Sequence, residues 1–278
     1  MAITSLDTYI AGYKQRAQFY KSAAVTTVAN IPFTMFNSAG VPGAGTLAGT
    51  TVASAILQDD TVAGYIAIDV ATGVNSYLSK VEFSSPVACR FRLIDVIAKG
   101  GAYSYATGTT SITSYPTITG RCPDFTTTTS PYGNGLEIWV ECTAAFTNAT
   151  AWQVQVTYTN QAGTTSRSTI ISAAQAAAAL TVNKLFQLAL QSGDTGVQKL
   201  QSVIVTNVGA TAGGFNLLLV RELWTSGRVN IANQGDIHDM LKTGMPIVYP
   251  NCALTVWSQT DSTSTSTPEL FIELASNG

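Results

Sequence analysis

The chain has 278 residues, of which 46% are hydrophobic and only 11% charged, and its formal net charge is −2. Soluble domains average about 25% charged residues, and a near-neutral balance excludes the basic surface that nucleic acid or an anionic membrane would attract. Thr, Ser, Ala and Gly fill the deficit, leaving a solvated but weakly self-repelling surface suited to packing against neighbours, because buried interfaces are depleted in charge.

The length suits one large domain or two ordinary ones. Asp7, Lys14 and Arg16 in the first twenty residues argue against an apolar secretion signal. No apolar run reaches the roughly 18 residues of a membrane span. Cys89, Cys122, Cys142 and Cys252 have no C-x-x-C spacing, so they read as free thiols of a reducing cytoplasm.

Residues 1–24 are predicted to form an N-terminal helix and arm. Ser5 caps it, Asp7 favours its positive end, and Leu6, Ile10, Tyr13, Ala17 and Tyr20 form one apolar stripe. From Thr26 the pattern becomes β. Ile31–Phe36 reads as a short strand with Pro32 at its start, and 38–64 as a long loop. Val81 and Phe83, then Cys89, Phe91 and Leu93, alternate with polar residues, and Ser85-Pro86 between them predicts a hairpin. Residues 104–135 form a decorated loop with a short strand near Thr117. Leu136, Ile138, Val140 and Cys142 form one face of the next strand, and Glu137, Trp139 and Glu141 the other. Trp152, Val154, Val156 and Tyr158 close the first half.

The order then recurs about 120 residues later. Val203 and Val205 match Val81 and Phe83. Phe215–Val220 matches Cys89–Leu93, with both faces apolar. Leu254–Trp257 matches Leu136–Trp139, and Leu270–Leu274 matches the closing strand. The fold expected is all-β: two tandem antiparallel β-sandwich, jelly-roll-like domains at 25–162 and 184–278, a linker at 163–183 with a possible short helix in its alanine run, and an N-terminal α-helix. The second half adds a helix capped by Asp236, with Ile237, Met240 and Leu241 facing inward and Gly244 ending it.

No constellation spells out a reaction. His238 is the only histidine, which excludes sites needing two and leaves it as a cap or surface residue. Glu137 and Glu141 beside Trp139 could in principle form a glycosidase pair, but they read as a polar strand face. The tyrosines 103, 105, 115 and 132 could rim a glycan site. Asn148-Ala149-Thr150 fits a glycosylation acceptor that has no meaning without a signal peptide. No phosphate-cradling loop is present, and no catalytic residue, metal or cofactor is expected. Trp139 and Trp257 fall on the polar phases of their strands, and lysine is scarce at the edges, so faces and edges are expected to be covered by other chains. The interface residues predicted are Leu6, Ile10, Tyr13, Ala17, Tyr20, Trp139 and Trp257.

Three segments carry a resemblance: Thr26–Phe33, Gly135–Glu141 and Trp224–Pro246. They resemble a group of structural proteins encoded by tailed bacteriophages, and the likeness covers most of the chain. It implies a non-enzymatic virion protein, assembled in the bacterial cytoplasm. Its expected partners are the major capsid protein or other virion proteins and further copies of itself, as a dimer or trimer, with neither nucleic acid nor membrane. The place favoured is a capsid decoration or cement protein. The alternatives are a tail, neck or head-fibre component that binds a host receptor or glycan, and a glycan-active enzyme.

Overall fold

In a computed structural model of the chain, the residues described are 5–22, 25–49, 51–68, 76–118, 120–122, 131–147, 151–175, 180–263, 265–267 and 269–276. The strands that carry the fold are β1 (Tyr13–Lys21), β2 (Phe33–Thr34), β3 (Ser76–Ser85), β4 (Cys89–Ser104), β5 (Gly108–Ser111), β6 (Leu136–Thr147), β7 (Gln153–Asn160), β8 (Arg167–Ser168), β9 (Leu185–Leu188), β10 (Val197–Thr206), β11 (Ala212–Thr225), β12 (Gln234–His238), β13 (Leu254–Thr260) and β14 (Glu269–Ser276). Short pairings at 25–26, 40–41, 55–57, 247–248 and 265–266 supplement them. The all-β, sandwich-like class expected from the sequence is what the structure shows.

The chain divides into two compact units, neither contiguous in sequence. The first comprises residues 1–46, 59–95 and 222–278, and the second 47–58 and 96–221. This differs from consecutive domains at 25–162 and 184–278. Alternation reveals which face of a strand is buried, but backbone pairing decides which strands share a sheet, and the pairings here join distant segments.

In the first unit, one sheet runs β12-β3-β14-β1, with every neighbour antiparallel. The other runs β2-β13-β4 through residues 89–95 of β4. Residues 222–229 continue that sheet: Ser226 N donates to Phe91 O at 2.9 Å, and Cys89 and Val229 exchange backbone bonds at 2.9 and 3.1 Å. The core between the sheets contains Phe19, Phe33, Leu78, Val81, Phe83, Phe91, Leu93, Trp224, Val256, Leu270 and Ile272. In the second unit, one sheet runs β5-β10-β7-β8. The other runs β9-β6-β11 and includes the later part of β4. Its core contains Ile138, Val140, Cys142, Trp152, Val154, Val156, Tyr158, Val203, Phe215, Leu217 and Leu219. Each such side chain contributes about 1.5–3 kcal/mol on burial.

The strand phases read from the sequence hold, but several local expectations do not. The N-terminal helix stops at Ala11: α1 spans Leu6–Ala11, and Ser5 and Thr8 close a capping box at its start. Tyr13, Ala17 and Tyr20 lie on β1 instead. There Ala17, Phe19 and Lys21 face inward at two-residue steps, and eight residues pair with β14. That ladder satisfies the backbone, and the two-residue step buries Phe19, which overrides the helical spacing. Ser85-Pro86 is no hairpin, because β3 and β4 belong to different sheets and the connection turns the sandwich corner. The segment 38–64 is mostly loop but adds edge pairings at Gly40–Val41 and Ala55–Leu57. Among the described residues, no strand forms near Thr117, and only an isolated bridge joins Ser114 to Ser54. Residues 176–179 of the alanine run and Asn148–Thr150 lie outside the described residues. In the second half, Gln234–His238 is strand, and Asp239 rather than Asp236 caps the short helix α2 (Met240–Thr243). Asp239 Oδ1 accepts from Leu241 N and Lys242 N, and Gly244 ends the helix at φ 69°, as expected. Ile237 and Leu241 are exposed rather than inward-facing.

Lys21 ends β1 fully buried, and its ammonium donates to the carbonyls of Ser38, Pro42 and Gly43 at 3.1, 2.7 and 3.2 Å. It gathers the start of the 38–64 segment as a bound cation would. Replacing Lys21 with Met preserves the apolar stem but removes all three donors. The expected cost is about 1–3 kcal/mol, measured as a lower midpoint in urea unfolding with an unchanged slope.

Candidate interaction surface

Exposed apolar side chains of the first unit lie on α1 and β1, and also at Ile231, Ile237, Leu241 and Phe271. Leu6, Ile10 and Tyr13 are 61, 67 and 61% exposed on α1 and at the start of β1, while Tyr20 and Val41 are exposed at the far end of β1, Tyr20 on the opposite strand phase from Tyr13. Helix α1 is too short to bury an apolar stripe of its own. Its Tyr9 hydroxyl donates to Glu273 Oε1 at 3.2 Å, and the Lys14 ammonium donates to the Tyr9 carbonyl and, at 2.9 Å, to the Gly12 carbonyl. Glu273 also accepts from Arg16 Nε at 3.1 Å and Ser79 Oγ at 3.2 Å. Burial opposes ionisation of Glu273, but the hydrogen bonds from Arg16, Tyr9 and Ser79, with the Arg16 charge, outweigh it and hold its carboxyl below the usual range. Burial also pushes the Tyr9 phenol upward.

Of the seven predicted interface residues, Leu6, Ile10, Tyr13 and Tyr20 are exposed, Tyr20 at the opposite end of β1 from Tyr13. Ala17 packs against the core of the first unit. Trp139 and Trp257 are only 3 and 1% exposed, so neither presents its ring to a partner. The indole of Trp139 donates to Glu137 at 2.7 Å. The polar phase of their strands suggested exposure, but that phase is itself buried: Glu141, on the face of Trp139, lies 3.5 Å from Lys99 and accepts from Asn216 at 2.9 Å. Glu137 and Glu141 are thus held in structural contacts. The loop tyrosines do not form a rim either. Tyr103 is in the core of the second unit, and Tyr105, Tyr115 and Tyr132 pack against it.

A cleft of about 550 Å³ on the outer face of β12-β3-β14 escaped the sequence reading. It is lined by Phe271, Ile237 and the carboxylates of Glu82, Asp236 and Glu269, among others. Phe271 alternates with the buried Leu270 and Ile272, and the ladder with β3 sets it opposite Glu82. Glu82 pairs with Lys80, Glu269 accepts from Gln18 at 2.9 Å, and Asp236 lies 3.7 Å from Lys242. The floor is therefore apolar and its rim is a set of already paired charges. His238 is not free for chemistry: Trp224 Nε1 donates to its Nδ1 at 3.0 Å, and the Phe83 and Trp224 rings enclose it edge-on. Among the described residues, no group of three His, Cys, Asp or Glu side chains could hold a metal. The four cysteines are buried and form no disulfide, Cys252 Sγ donates to Asp95 Oδ2 at 3.1 Å, and burial raises Cys89 to about 11 and Cys142 to about 12. Among the described residues, no helix is long and apolar enough to cross a membrane.

No family model matches the chain, and no curated protein matches it in sequence. Among solved structures, the cyanophage Pam1 capsid asymmetric unit contains a chain 19% identical, covering 57% of this chain and 91% of its own, with a TM-score of 0.25. The VP2 subviral particle of infectious bursal disease virus is 9% identical over 95% of this chain and 80% of its own, with a TM-score of 0.20. A lipoprotein of Bacteroides thetaiotaomicron is 12% identical over 90% and 99%, with a TM-score of 0.12. These scores are too low for a shared fold, and nothing about this chain rests on them.

Glu273→Gln tests how α1 is held. A carboxylate whose pKa is depressed on folding stabilises above its unfolded value and loses that contribution as pH falls through the folded one. The variant is expected to lose about 1–3 kcal/mol near neutral pH, and to match the parent once pH is well below the ordinary carboxylate value of 4.5. Urea unfolding at several pH values measures both.

Proposed function

We propose that the protein is a non-enzymatic structural component of a bacteriophage virion, seated on the capsid as a decoration or cement protein that bridges major capsid subunits. The observation that carries this reading is the exposed apolar side chains Leu6, Ile10 and Tyr13, on α1 and at the start of β1, on a chain with so little charge. Burial of these side chains against a capsid neighbour is favourable at about 25 cal/mol per Å², and symmetric repetition over a lattice multiplies a weak contact. The phage-like segments Thr26–Phe33, Gly135–Glu141 and Trp224–Pro246 support the virion assignment. A second reading, a tail, neck or fibre component with a glycan-binding role, is favoured by the cleft floored by Phe271, since an aromatic face flanked by carboxylates suits a sugar ring.

Copy number in purified particles separates these readings. Quantitative mass spectrometry is expected to give a ratio to the major capsid protein near one, or a simple large fraction of it. A few copies per hundred capsid subunits, on the order of a single symmetric ring, favours the second reading, and absence from the particle overturns both. With the double variant Ile10→Glu, Tyr13→Glu, occupancy on particles is expected to fall at least tenfold while the unfolding midpoint stays within a few degrees of the parent. Unchanged occupancy would remove α1 and β1 from the interface.

A further inference from the structure

The strand pairings follow a rule that the sequence repeat does not state. When each of β1–β7 is matched with the strand seven places later, every ladder among these fourteen strands has a counterpart, and the short pairings at 25–26, 40–41, 55–57, 247–248 and 265–266 stand outside the match. β3 pairs with β14 by setting Phe83 against Leu270 and Val81 against Ile272. β10 pairs with β7 by setting Val205 against Val154 and Val203 against Val156. β4 sets Leu93 against Val256 and Asp95 against Leu254 on β13. β11 sets Leu219 against Ile138 and Arg221 against Leu136 on β6. The outer pairs agree as well: β12 with β3 corresponds to β5 with β10, β1 with β14 to β8 with β7, and β2 with β13 to β9 with β6. In every counterpart the two halves of the sequence trade roles.

We propose that the chain is two copies of one jelly-roll sequence that have exchanged their later strands, so that each half is completed by the other. The first unit takes β1–β3 and the start of β4 from the first half, and residues 222–229 with β12–β14 from the second. The second unit takes β8–β10 and the start of β11 from the second half, and the end of β4 with β5–β7 from the first. The unit boundary falls after Asp95 in β4 and after Arg221 in β11, which are counterparts by register. A jelly roll closed within one half would need the chain to turn back at each of these points. Instead both strands run on, as uninterrupted elements of residues 89–104 and 212–225.

A third observation agrees. The first unit has a cleft of about 450 Å³ beside β12, lined by Phe83, Arg228, Asn230 and Asp236. The second has one of about 310 Å³ beside β5, lined by the counterparts Val205, Ala102, Ser104 and Gly108. The same hollow occurs twice, charged in one copy and uncharged in the other. The partner that each half fits is therefore another copy of its own kind, held by two sets of ladders.

Paired cysteines test this in the full chain, with a protease site inserted between Gly163 and Thr164. Glu82 faces Phe271 across β3 and β14, and Gln155 faces Ile204 across β7 and β10. The variants E82C/F271C and Q155C/I204C are expected to oxidise and to remain one covalent species on a denaturing, non-reducing gel after cleavage. The pairs that an unexchanged half would bring together, E82C/Q155C and I204C/F271C, are expected to form no bond. Without added cysteines, the cleaved chain is expected to elute as one species and to separate only in denaturant. Thermal unfolding of each uncut variant, within a few degrees of the parent, establishes that it folds. Bonds in the second set, or separation of the cleaved parent in native buffer, would overturn the exchange.

Discussion

The ladder between β3 and β14 is the constraint on which the first unit rests. It joins residues 76–85 to residues 269–276, and β14 in turn carries β1. Without it, neither Phe83 nor Leu270 has a facing sheet to pack from, and β12 and β1 lose the strands they extend. The ladder between β7 and β10 does the same in the second unit. Such long-range pairings close large loops before any contact rewards them, so folding of this chain is governed by non-local contacts and is slow for its size. Once formed, they leave no half of the sequence able to bury its core alone.

This arrangement explains which features could be read from the sequence. Alternation identified the inward positions of β3, β4, β6, β7 and β10, because a side-chain period of two is local information. The recurrence of Leu136–Trp139 at Leu254–Trp257 was visible for the same reason. The partner of each strand was not visible: nothing near Val81 or Phe83 indicates that their neighbours are Ile272 and Leu270 rather than a strand across Ser85-Pro86. The counterparts β1 with β8 and β2 with β9 also escaped, since β8 has two residues and the long segment between β2 and β3 shifts the spacing.

The surface residues show the same limit. Leu6, Ile10, Tyr13 and Tyr20 are exposed, but the helical stripe on which they were placed ends at Ala11. Trp139 and Trp257 were misplaced because a polar phase was taken for an exposed one, whereas Glu141 on that face is buried with Lys99 and Asn216. Buried polar groups that satisfy one another are indistinguishable from solvated ones in a sequence. The cleft around Phe271 needs three strands from opposite ends of the chain, so no local motif could announce it.

The surface and the framework fit one physical picture. Each sandwich draws strands from both halves of the sequence, and a low-charge chain with exposed apolar side chains at Leu6, Ile10 and Tyr13 is suited to fixed neighbours. The most direct test of the framework is native-state hydrogen exchange in rising denaturant, followed by peptide mass spectrometry. Peptides from β3 and β14 should lose protection at one denaturant concentration, and peptides from β7 and β10 should also lose it together, because cooperative units follow packing rather than sequence. Loss of protection by β3 together with β7, and separately by β10 together with β14, would mean that the sequence halves unfold as independent blocks and would contradict the account.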